Sequence, residues 1–405
     1  MPKTIITATP PTPNGDLHVG HLSGPYLAAD VHARFLRARG EDVAYVSSSD
    51  DNQSYVVTTA HRLGTQPKVL ASQQAERIRE TLAKASIAID AFTVPDQRHV
   101  EFVQKFFLRL YNDGVLTRKK KCVFWCKGHR HYAFESYLRG YCAQCFSPTA
   151  GATGNRLIQF LGYDNSFFFA VVHLILAMAA RDRCILPTSI MTNEFYQLEN
   201  FKFSTSKNHA IWARDLLAQR TVDETRFYLA LSNPEFQKTN FAQAEMDRLV
   251  GASFAGPWQT LASGLGRLGR APPGRRTSGT EISPESRALA AQLIASFERH
   301  YAIETFSLQR AAELFSQLLT WLGHRAHAVA DAQQSGPTAS QNASEIWAIT
   351  RLIPSLICPL LPDFADRLDA ALGQKTCHRW PGGEPLAASA APVSGLGRIL
   401  PTRRA

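Results

Sequence analysis

A turn near the start of the sequence carries two histidines on either side of a glycine, in the run His18-Val19-Gly20-His21. An apolar, strand-like run, Thr4 to Ala8, precedes this turn, and a helical pattern, Leu22 to Arg39, follows it. Backbone amides at the start of a helix favour an anion, and a glycine lets a flat ligand lie against the backbone. The run therefore predicts a site for the phosphates of ATP. Taken alone, H-x-x-H is also typical of an ordinary turn with two surface histidines.

A second group of residues has the spacing of a metal site. The pattern C-x2-H-x12-C-x2-C is made by Cys126, His129, Cys142 and Cys145. Such a spacing suits a structural Zn²⁺ ion with four protein ligands. A small segment with few large apolar side chains also needs metal binding or another cross-link to fold. Cys122 and His131 are alternative ligands, and two unrelated pairs of surface thiols are the competing interpretation.

The composition places the chain among globular proteins. Its 405 residues are 45% hydrophobic and 19% charged, enough for two or three domains. No run approaches 18 consecutive apolar residues, and no secretory segment follows Met1, so a cytoplasmic location without a membrane partner is expected. The net charge of +10 suits RNA, although a solvated basic surface explains it equally well. Among the seven cysteines, Cys184, Cys358 and Cys377 are predicted to be ordinary buried thiols.

Strand-like and helix-like stretches alternate over the first 115 residues, which predicts βαβ units and a parallel sheet. After about residue 215 the pattern is helical, with flexible connectors predicted at 269–284 and 331–344. The predicted division is a catalytic first half at 1–115, a zinc-binding insertion at 116–155, a catalytic second half at 156–215, a helical bundle at 216–380 and a disordered tail at 381–405.

With its neighbours, the histidine turn resembles the HIGH motif of the class I aminoacyl-tRNA synthetases, in their methionyl branch. The preceding Asn14-Gly15 is also similar to that family. The resemblance implies an α/β fold with a Rossmann-type parallel sheet and the use of ATP with Mg²⁺. It further implies that His18 and His21 stabilise the phosphates in the transition state, and that Asn14, Gly15 and Gly20 contact ATP.

The stretch 202–207, K-F-S-T-S-K, resembles the KMSKS loop of the same family. Lys202 matches the first lysine, whereas Thr205 stands where the second lysine is expected, and Lys207 is the candidate to replace it. The resemblance implies that Lys202 and Lys207 clamp the pyrophosphate of ATP and that Ser204 and Ser206 contact the nucleotide.

The amino-acid site is expected where an acidic turn follows a strand. In methionyl enzymes a carboxylate at this place binds the substrate ammonium, which here implies Asp50 or, less favoured, Asp51. Pro10 and Thr12 stand where those enzymes present larger apolar groups, so the side-chain pocket is altered.

Two other stretches are similar to the family. Residues 160–164, F-L-G-Y-D, resemble its F-x-G-x-D motif, which implies that Gly162 and Asp164 approach the adenosine. The family also carries a zinc knuckle in the position of the cysteine-rich segment, which implies a structural role for Zn²⁺ there.

The chain departs from methionyl enzymes in two respects. Fewer residues separate His18 from Lys202 than in those enzymes. In an approximate alignment, Thr260 and Gly264 stand where the family has its anticodon-reading residues. The sequence thus predicts an AMP-forming ligase that activates methionine or a related amino acid as its adenylate. Transfer to a non-tRNA amine in specialised metabolism is one expectation for the acceptor. The alternatives are a compact methionine–tRNA ligase and an inactive RNA-binding or regulatory relative.

Overall fold

The structure is a computed structural model that describes residues 3–118, 125–126, 131–132, 156–179, 185–203, 209–269, 282–332, 337–382 and 396–400. Its strands are β1 (Thr4–Ala8), β2 (Val43–Ser48), β3 (Ala91–Thr93), β4 (Trp125–Cys126), β5 (His131–Tyr132), β6 (Arg156–Gly162), β7 (Ser189–Asn193), β8 (Tyr196–Leu198), β9 (Phe201–Lys202) and β10 (Thr239–Phe241).

Helices cover both faces of the sheet and make up the C-terminal half of the chain. They are α1 (Val19–His21), α2 (Leu27–Ala38), α3 (Ser54–Arg62), α4 (Pro67–Lys84), α5 (Gln97–Asn112), α6 (His173–Ala179), α7 (Ala213–Gln219), α8 (Val222–Leu231), α9 (Gln243–Val250), α10 (Gly256–Gly269), α11 (Pro284–Tyr301), α12 (Leu308–Asp331), α13 (Pro337–Thr350), α14 (Ile353–Ile357) and α15 (Pro362–Ala371).

A five-stranded parallel sheet forms the N-terminal half, in the order β3-β2-β1-β6-β7. Its central strands are apolar because both faces are covered: five successive residues of β6, Leu157 to Leu161, are buried. A small sheet, β10-β8-β9, follows in the chain, and β4 pairs with β5 in an antiparallel hairpin. The predicted α/β class, with a parallel sheet and a helical C-terminal part, is confirmed.

The helix predicted from Leu22 to Arg39 is interrupted near its start. The chain runs from α1 through a π-helical turn, Leu22–Tyr26, before α2 begins. Gly24, at φ −81° and ψ −119°, is not helical there, and Pro25 follows it. Proline removes a backbone donor and disfavours helical geometry in the residue before it, so the interruption is local in origin.

Two predictions for the C-terminal half are wrong in part. The connector predicted at 331–344 is short, because α13 begins at Pro337, and proline is favoured in the first turn of a helix. Residues 396–400, predicted to lie in a disordered tail, include the buried Leu396 and Ile399, and the Arg367 Nε donates to the Ile399 carbonyl at 2.7 Å. The other domain boundaries stay predictions.

Two glycines bring helices α10 and α12 into close contact. A Cβ on Gly264 would lie 2.7 Å from the Cβ of Ala326, and a Cβ on Gly323 would lie 3.2 Å from the Leu261 nitrogen. A side chain on Gly264 would therefore force α12 to shift, and one on Gly323 would press on the backbone of α10. Among the residues described, no helix is long and apolar enough to cross a membrane.

A buried ion pair connects the sheet half to the helical half. Arg226 in α8 donates through Nη2 to Asp30 in α2 at 2.7 Å, and the two side chains are 2% and 0% exposed. Arg226 also donates to the carbonyls of Leu360 at 2.7 Å and Pro359 at 3.1 Å, just after α14. Asp30 accepts further bonds from Arg34 and from the backbone of residue 88. Helix α2, helix α8 and the segment just after α14 are thus held together at one point.

We expect Arg226→Met to lower the free energy of unfolding by about 3–5 kcal/mol, because it leaves the Asp30 carboxylate buried without its partner. Urea titration of the purified variant measures this loss. The matched control is Arg248→Met, which breaks an exposed pair with Glu245 and should leave the titration unchanged. Equal stability of the two variants would contradict the assignment of Arg226 as the central contact.

Candidate active site

The candidate site lies where the order of the strands reverses. The chain passes outwards from β1 to β2 on one side and places β6 on the other, so a crevice opens beyond the carboxyl ends of β1 and β6. A cleft of about 1230 Å³ occupies this place. The predicted site residues that line it are Pro10, Thr12, Asn14, Gly15, His18, Gly20, His21, Asp50, Asp51, Gly162 and Asp164.

The two histidines of the first turn stack on each other. The ring centroids of His18 and His21 are 3.7 Å apart with an interplanar angle of 18°. The His18 backbone N–H donates to Nδ1 of His21 at 3.3 Å. An imidazole whose Nδ1 accepts a hydrogen bond carries its proton on Nε2 when neutral, so His21 has a donor for an anion.

Phe203 extends this stack from the other motif. Its ring lies 4.8 Å from the ring of His18 and nearly parallel to it, and Tyr196 lies beyond it at 6.3 Å. A Cβ on Gly20 would lie 3.1 Å from both His18 and Phe203. The sequence predicts that Gly20 leaves room for a ligand. In the structure, its missing side chain also leaves room for the rings of His18 and Phe203. The sequence analysis missed Phe203, although it occupies the methionine position of the KMSKS-like stretch.

Backbone hydrogen bonds join the histidine turn to the segment after that stretch. The Val19 N–H donates to the Ile211 carbonyl at 3.0 Å, and the Ala213 N–H donates to the Leu17 carbonyl at 2.9 Å. Next to them, Arg214 pairs with Asp16 at 3.1 Å. The two motifs, almost two hundred residues apart in sequence, are therefore held in fixed register.

The acidic turn after β2 points a half-buried carboxylate towards the same cleft. Gln53 donates to Asp50 through Nε2 at 2.6 Å, and the Asp50 N–H donates to the Pro11 carbonyl at 3.0 Å. Burial raises the pKa of Asp50, the charge of Asp51 adds to this rise, and the bond from Gln53 opposes it. Asp51 accepts a hydrogen bond from Ser49 instead. Asp50 is thus the carboxylate that gains more from a cationic ligand.

The end of β6 supplies the opposite wall. Asp164 is exposed in the cleft, and Asn165 donates to it at 3.2 Å. A Cβ on Gly162 would lie 3.0 Å from the Asp164 carboxylate, so glycine lets this carboxylate approach the strand end. Such an arrangement suits a ribose hydroxyl, which can donate to a carboxylate.

The floor of the cleft is made by the interrupted helix. The Tyr26 hydroxyl donates to the Thr9 carbonyl at 2.7 Å, and burial raises the pKa of this phenol. A Cβ on Gly24 would lie 2.8 Å from Nδ2 of Asn193, at the end of β7. The π-helical turn therefore brings the chain close to the sheet at the place where Pro10 and Thr12 line the cleft.

Several predicted residues lie outside the part of the chain that can be described. For Lys202, at the end of β9, and for Cys126, in β4, the structure describes the backbone alone. The remaining residues in this group are Ser204, Ser206, Lys207, His129, Cys142 and Cys145. The lysine clamp and the zinc knuckle thus stay predictions.

Comparison with known proteins identifies the family. The family described as tRNA synthetases class I (M) matches residues 4–156 and 151–263, more than half of the chain. The chain belongs to this family.

Curated relatives align with different shares of this chain and of their own length. The methionine–tRNA ligase of Rubrobacter xylanophilus is 22% identical over 90% of this chain and 89% of its own length. That of Chloroherpeton thalassium is 35% identical, but over 36% of this chain and 21% of its own length. That of Thermoplasma volcanium is 35% identical over 35% of this chain and 26% of its own length. Two of these three alignments therefore cover about a quarter of the relative or less.

A solved structure has the same fold. The Mycobacterium tuberculosis methionyl-tRNA synthetase in complex with methionyl-adenylate superimposes with a TM-score of 0.79, covering 98% of this chain and 100% of that chain. The sequence identity is 16%, so the likeness concerns the fold.

We expect Gly20→Ala to weaken ATP binding by about tenfold, or 1.4 kcal/mol. The added methyl group would press on His18 and Phe203 and shift the stack. Titration calorimetry with ATP measures the change. Gly266→Ala is the matched control, because a Cβ there meets nothing within 4 Å and alanine suits a helix interior. Unchanged ATP affinity in Gly20→Ala would argue against the stack as part of the nucleotide site.

Proposed function

We propose that this protein activates an amino acid with ATP, forming an aminoacyl-adenylate and pyrophosphate. The amino-acid carboxylate attacks the α-phosphorus in line, and the bond from that phosphorus to the bridging oxygen of pyrophosphate breaks. The observation that carries the proposal is the convergence of His18, His21, Asp50 and Asp164 on one cleft at the switch point of the sheet. The protein forms no covalent bond in this reaction, so it accelerates the reaction by positioning the reactants and by electrostatic stabilisation of the transition state.

The histidine stack serves the phosphates in this proposal. ATP enters as its Mg²⁺ complex, which lowers the charge of the phosphates. His21 donates from Nε2 to the phosphate oxygens as negative charge develops on them. His18 is buried between His21 and Phe203, so it holds the donor in place. Lys202, with Lys207 in place of the lysine missing at Thr205, neutralises the departing pyrophosphate.

The acidic turn after β2 positions the amino acid. Asp50 pairs with its ammonium group, and the half-buried setting strengthens a charge-assisted hydrogen bond. Pro10 and Thr12 border the side chain. Methionine is the first substrate to test, because the curated relatives are named methionine–tRNA ligases. Asp164 holds the ribose.

The relatives favour tRNA as the acceptor of the activated amino acid. The second candidate is a small-molecule amine, and the support for it comes from the helical half. Gly264 is buried against Ala326, and the Thr260 hydroxyl donates to the Gly256 carbonyl of its own helix at 3.1 Å. Gly264 thus has no side chain to read a base, and the hydroxyl hydrogen of the exposed Thr260 is used within its own helix. A helical half without base readout would favour an acceptor other than tRNA, such as a small-molecule amine, and would still allow contact with the RNA backbone.

ATP–pyrophosphate exchange across a panel of amino acids tests the proposal. We expect exchange with one amino acid, methionine or a close analogue, and a loss of about a hundredfold or more in His21→Ala, because each oxyanion donor is worth 10²–10³ in rate. His61→Ala, at the exposed end of α3, should retain full exchange.

The same assay separates the alternatives. Exchange followed by charging of purified tRNA supports the compact methionine–tRNA ligase. Exchange without charging supports an amine acceptor, which is then sought by following consumption of the adenylate with added amines. Absence of exchange with every amino acid, with and without tRNA, would leave the inactive RNA-binding relative as the better reading.

The pH profile tests Asp50 separately. Its pKa is raised, so the carboxylate loses its charge at a pH above the ordinary aspartate value. We therefore expect kcat/KM for the amino acid to fall as the pH is lowered towards that raised pKa. Asp50→Asn should lower kcat/KM by about tenfold to a hundredfold at neutral pH, which is the contribution of a hydrogen bond to a charged group. It should also remove the fall of kcat/KM at low pH, here called the acid limb. The control is Asp113→Asn, at the exposed end of α5, which should keep the acid limb. If Asp50→Asn also keeps the acid limb, another group is responsible for it.

A further inference from the structure

Two cysteines and a histidine meet at the C-terminal end of the helical half. The ligand atoms of Cys358, Cys377 and His378 all lie within 4.8 Å of one another. The Cys358 Sγ is 3.4 Å from Nδ1 of His378. In a tetrahedral Zn²⁺ site, bond lengths of about 2.3 Å to sulfur and 2.0–2.1 Å to nitrogen put the two donor atoms roughly 3.5 Å apart. The observed distance matches that separation.

The turn that carries Cys377 and His378 is held rigidly by its own hydrogen bonds. Asp369 accepts from the backbone N–H of Thr376 at 2.8 Å and from that of Cys377 at 3.3 Å. The Ser355 hydroxyl donates to the Thr376 carbonyl at 2.8 Å. These contacts place Cys377 beside Cys358, which directly follows α14, and they do so without help from a ligand.

Asp366 completes the arrangement around the imidazole. Its Oδ1 lies 3.1 Å from Nε2 of His378, the nitrogen on the side away from Cys358. A metal-binding histidine usually donates its second ring N–H to a carboxylate, which fixes the tautomer and orients the ring. Asp366 also accepts from the Cys377 thiol at 3.0 Å. The carboxylate is therefore placed to orient a metal-binding histidine.

We propose that Cys358, Cys377 and His378 bind a Zn²⁺ ion, with Asp366 orienting the imidazole. Two thiolates and an imidazole form a donor set that suits Zn²⁺. The two cysteines are buried and His378 is exposed, so the ion enters from the histidine side and solvent supplies the fourth ligand. The site is separate from the cysteine-rich segment at 116–155, and it does not depend on the proposed reaction.

The alternatives explain less of the geometry. An ordinary pair of buried thiols, as predicted from the sequence, has no need of an imidazole at 3.4 Å backed by a carboxylate.

The position of the site gives it a structural role. Cys358 is followed by Pro359 and Leu360, whose carbonyls accept from Arg226. Two residues after His378, the Trp380 N–H donates to the Ala38 carbonyl at the end of α2 at 2.9 Å. Bound Zn²⁺ therefore ties together the two chain segments that dock the helical half on the sheet half.

Zinc content of the purified full chain tests the proposal. After dialysis against metal-free buffer, we expect His378→Ala and Cys377→Ser each to hold one equivalent less Zn²⁺ than the unaltered protein, measured by mass spectrometry of the metal. Because His378 is exposed, its alanine variant should keep the fold, which circular dichroism checks. His324→Ala, at an exposed position of α12, and Cys184→Ser are the matched controls and should hold the full amount.

A second readout keeps the test independent of the zinc knuckle. With Co²⁺ in place of Zn²⁺, thiolate-to-metal absorption should decrease in Cys377→Ser, and Asp366→Asn should weaken metal binding by about 10–100-fold while the donor set is intact. Equal zinc content in the unaltered protein and in both site variants would overturn the proposal. A Cys358–Cys377 disulfide, seen as the loss of two hydrogens in the intact mass, would overturn it as well.

Discussion

The buried pair of Asp30 and Arg226 is the contact on which the rest of the structure depends. Two charges removed from water are tolerated only where every remaining donor and acceptor is matched, and Arg226 meets this condition by also donating to the carbonyls of Leu360, Pro359 and Ala85. Those acceptors belong to different parts of the chain. The pair therefore fixes α2, which follows the histidine turn, relative to α8, which follows the KMSKS-like stretch.

The cleft is built on this fixed frame from short-range contacts. The parallel sheet opens a crevice between β1 and β6, and the backbone bonds from Leu17 and Val19 to the segment at 211–213 close one side of it. Aromatic stacking of Phe203 on His18 then connects the phosphate side to the loop that follows β9. Glycine at positions 20 and 162 leaves room for these approaches, so small residues and rigid rings together shape the proposed nucleotide site.

Sequence reasoning reached the fold class and most of the cleft because motifs, strand ends and glycines leave local signals. His18, His21 and Asp50 each stand beside such a signal, and the structure brings them to one cleft. The π-helical turn was missed because it arises from Gly24 and Pro25 within an otherwise helical pattern. Phe203 and the pairing of Cys358 with Cys377 depend on contacts between segments distant in sequence, which no local pattern reports.

The backbone hydrogen bonds that join Leu17 and Val19 to the segment at 211–213 also bear on how the chain folds. Contacts between residues so far apart close a long loop, and the entropy lost on closure delays their formation until the intervening segments are ordered. Local helices such as α10 and α12 are free of this requirement. We therefore expect the candidate cleft to be among the last features to assemble, since a nascent chain that has not yet emerged past α7 has both histidines but lacks the segment that closes the cleft.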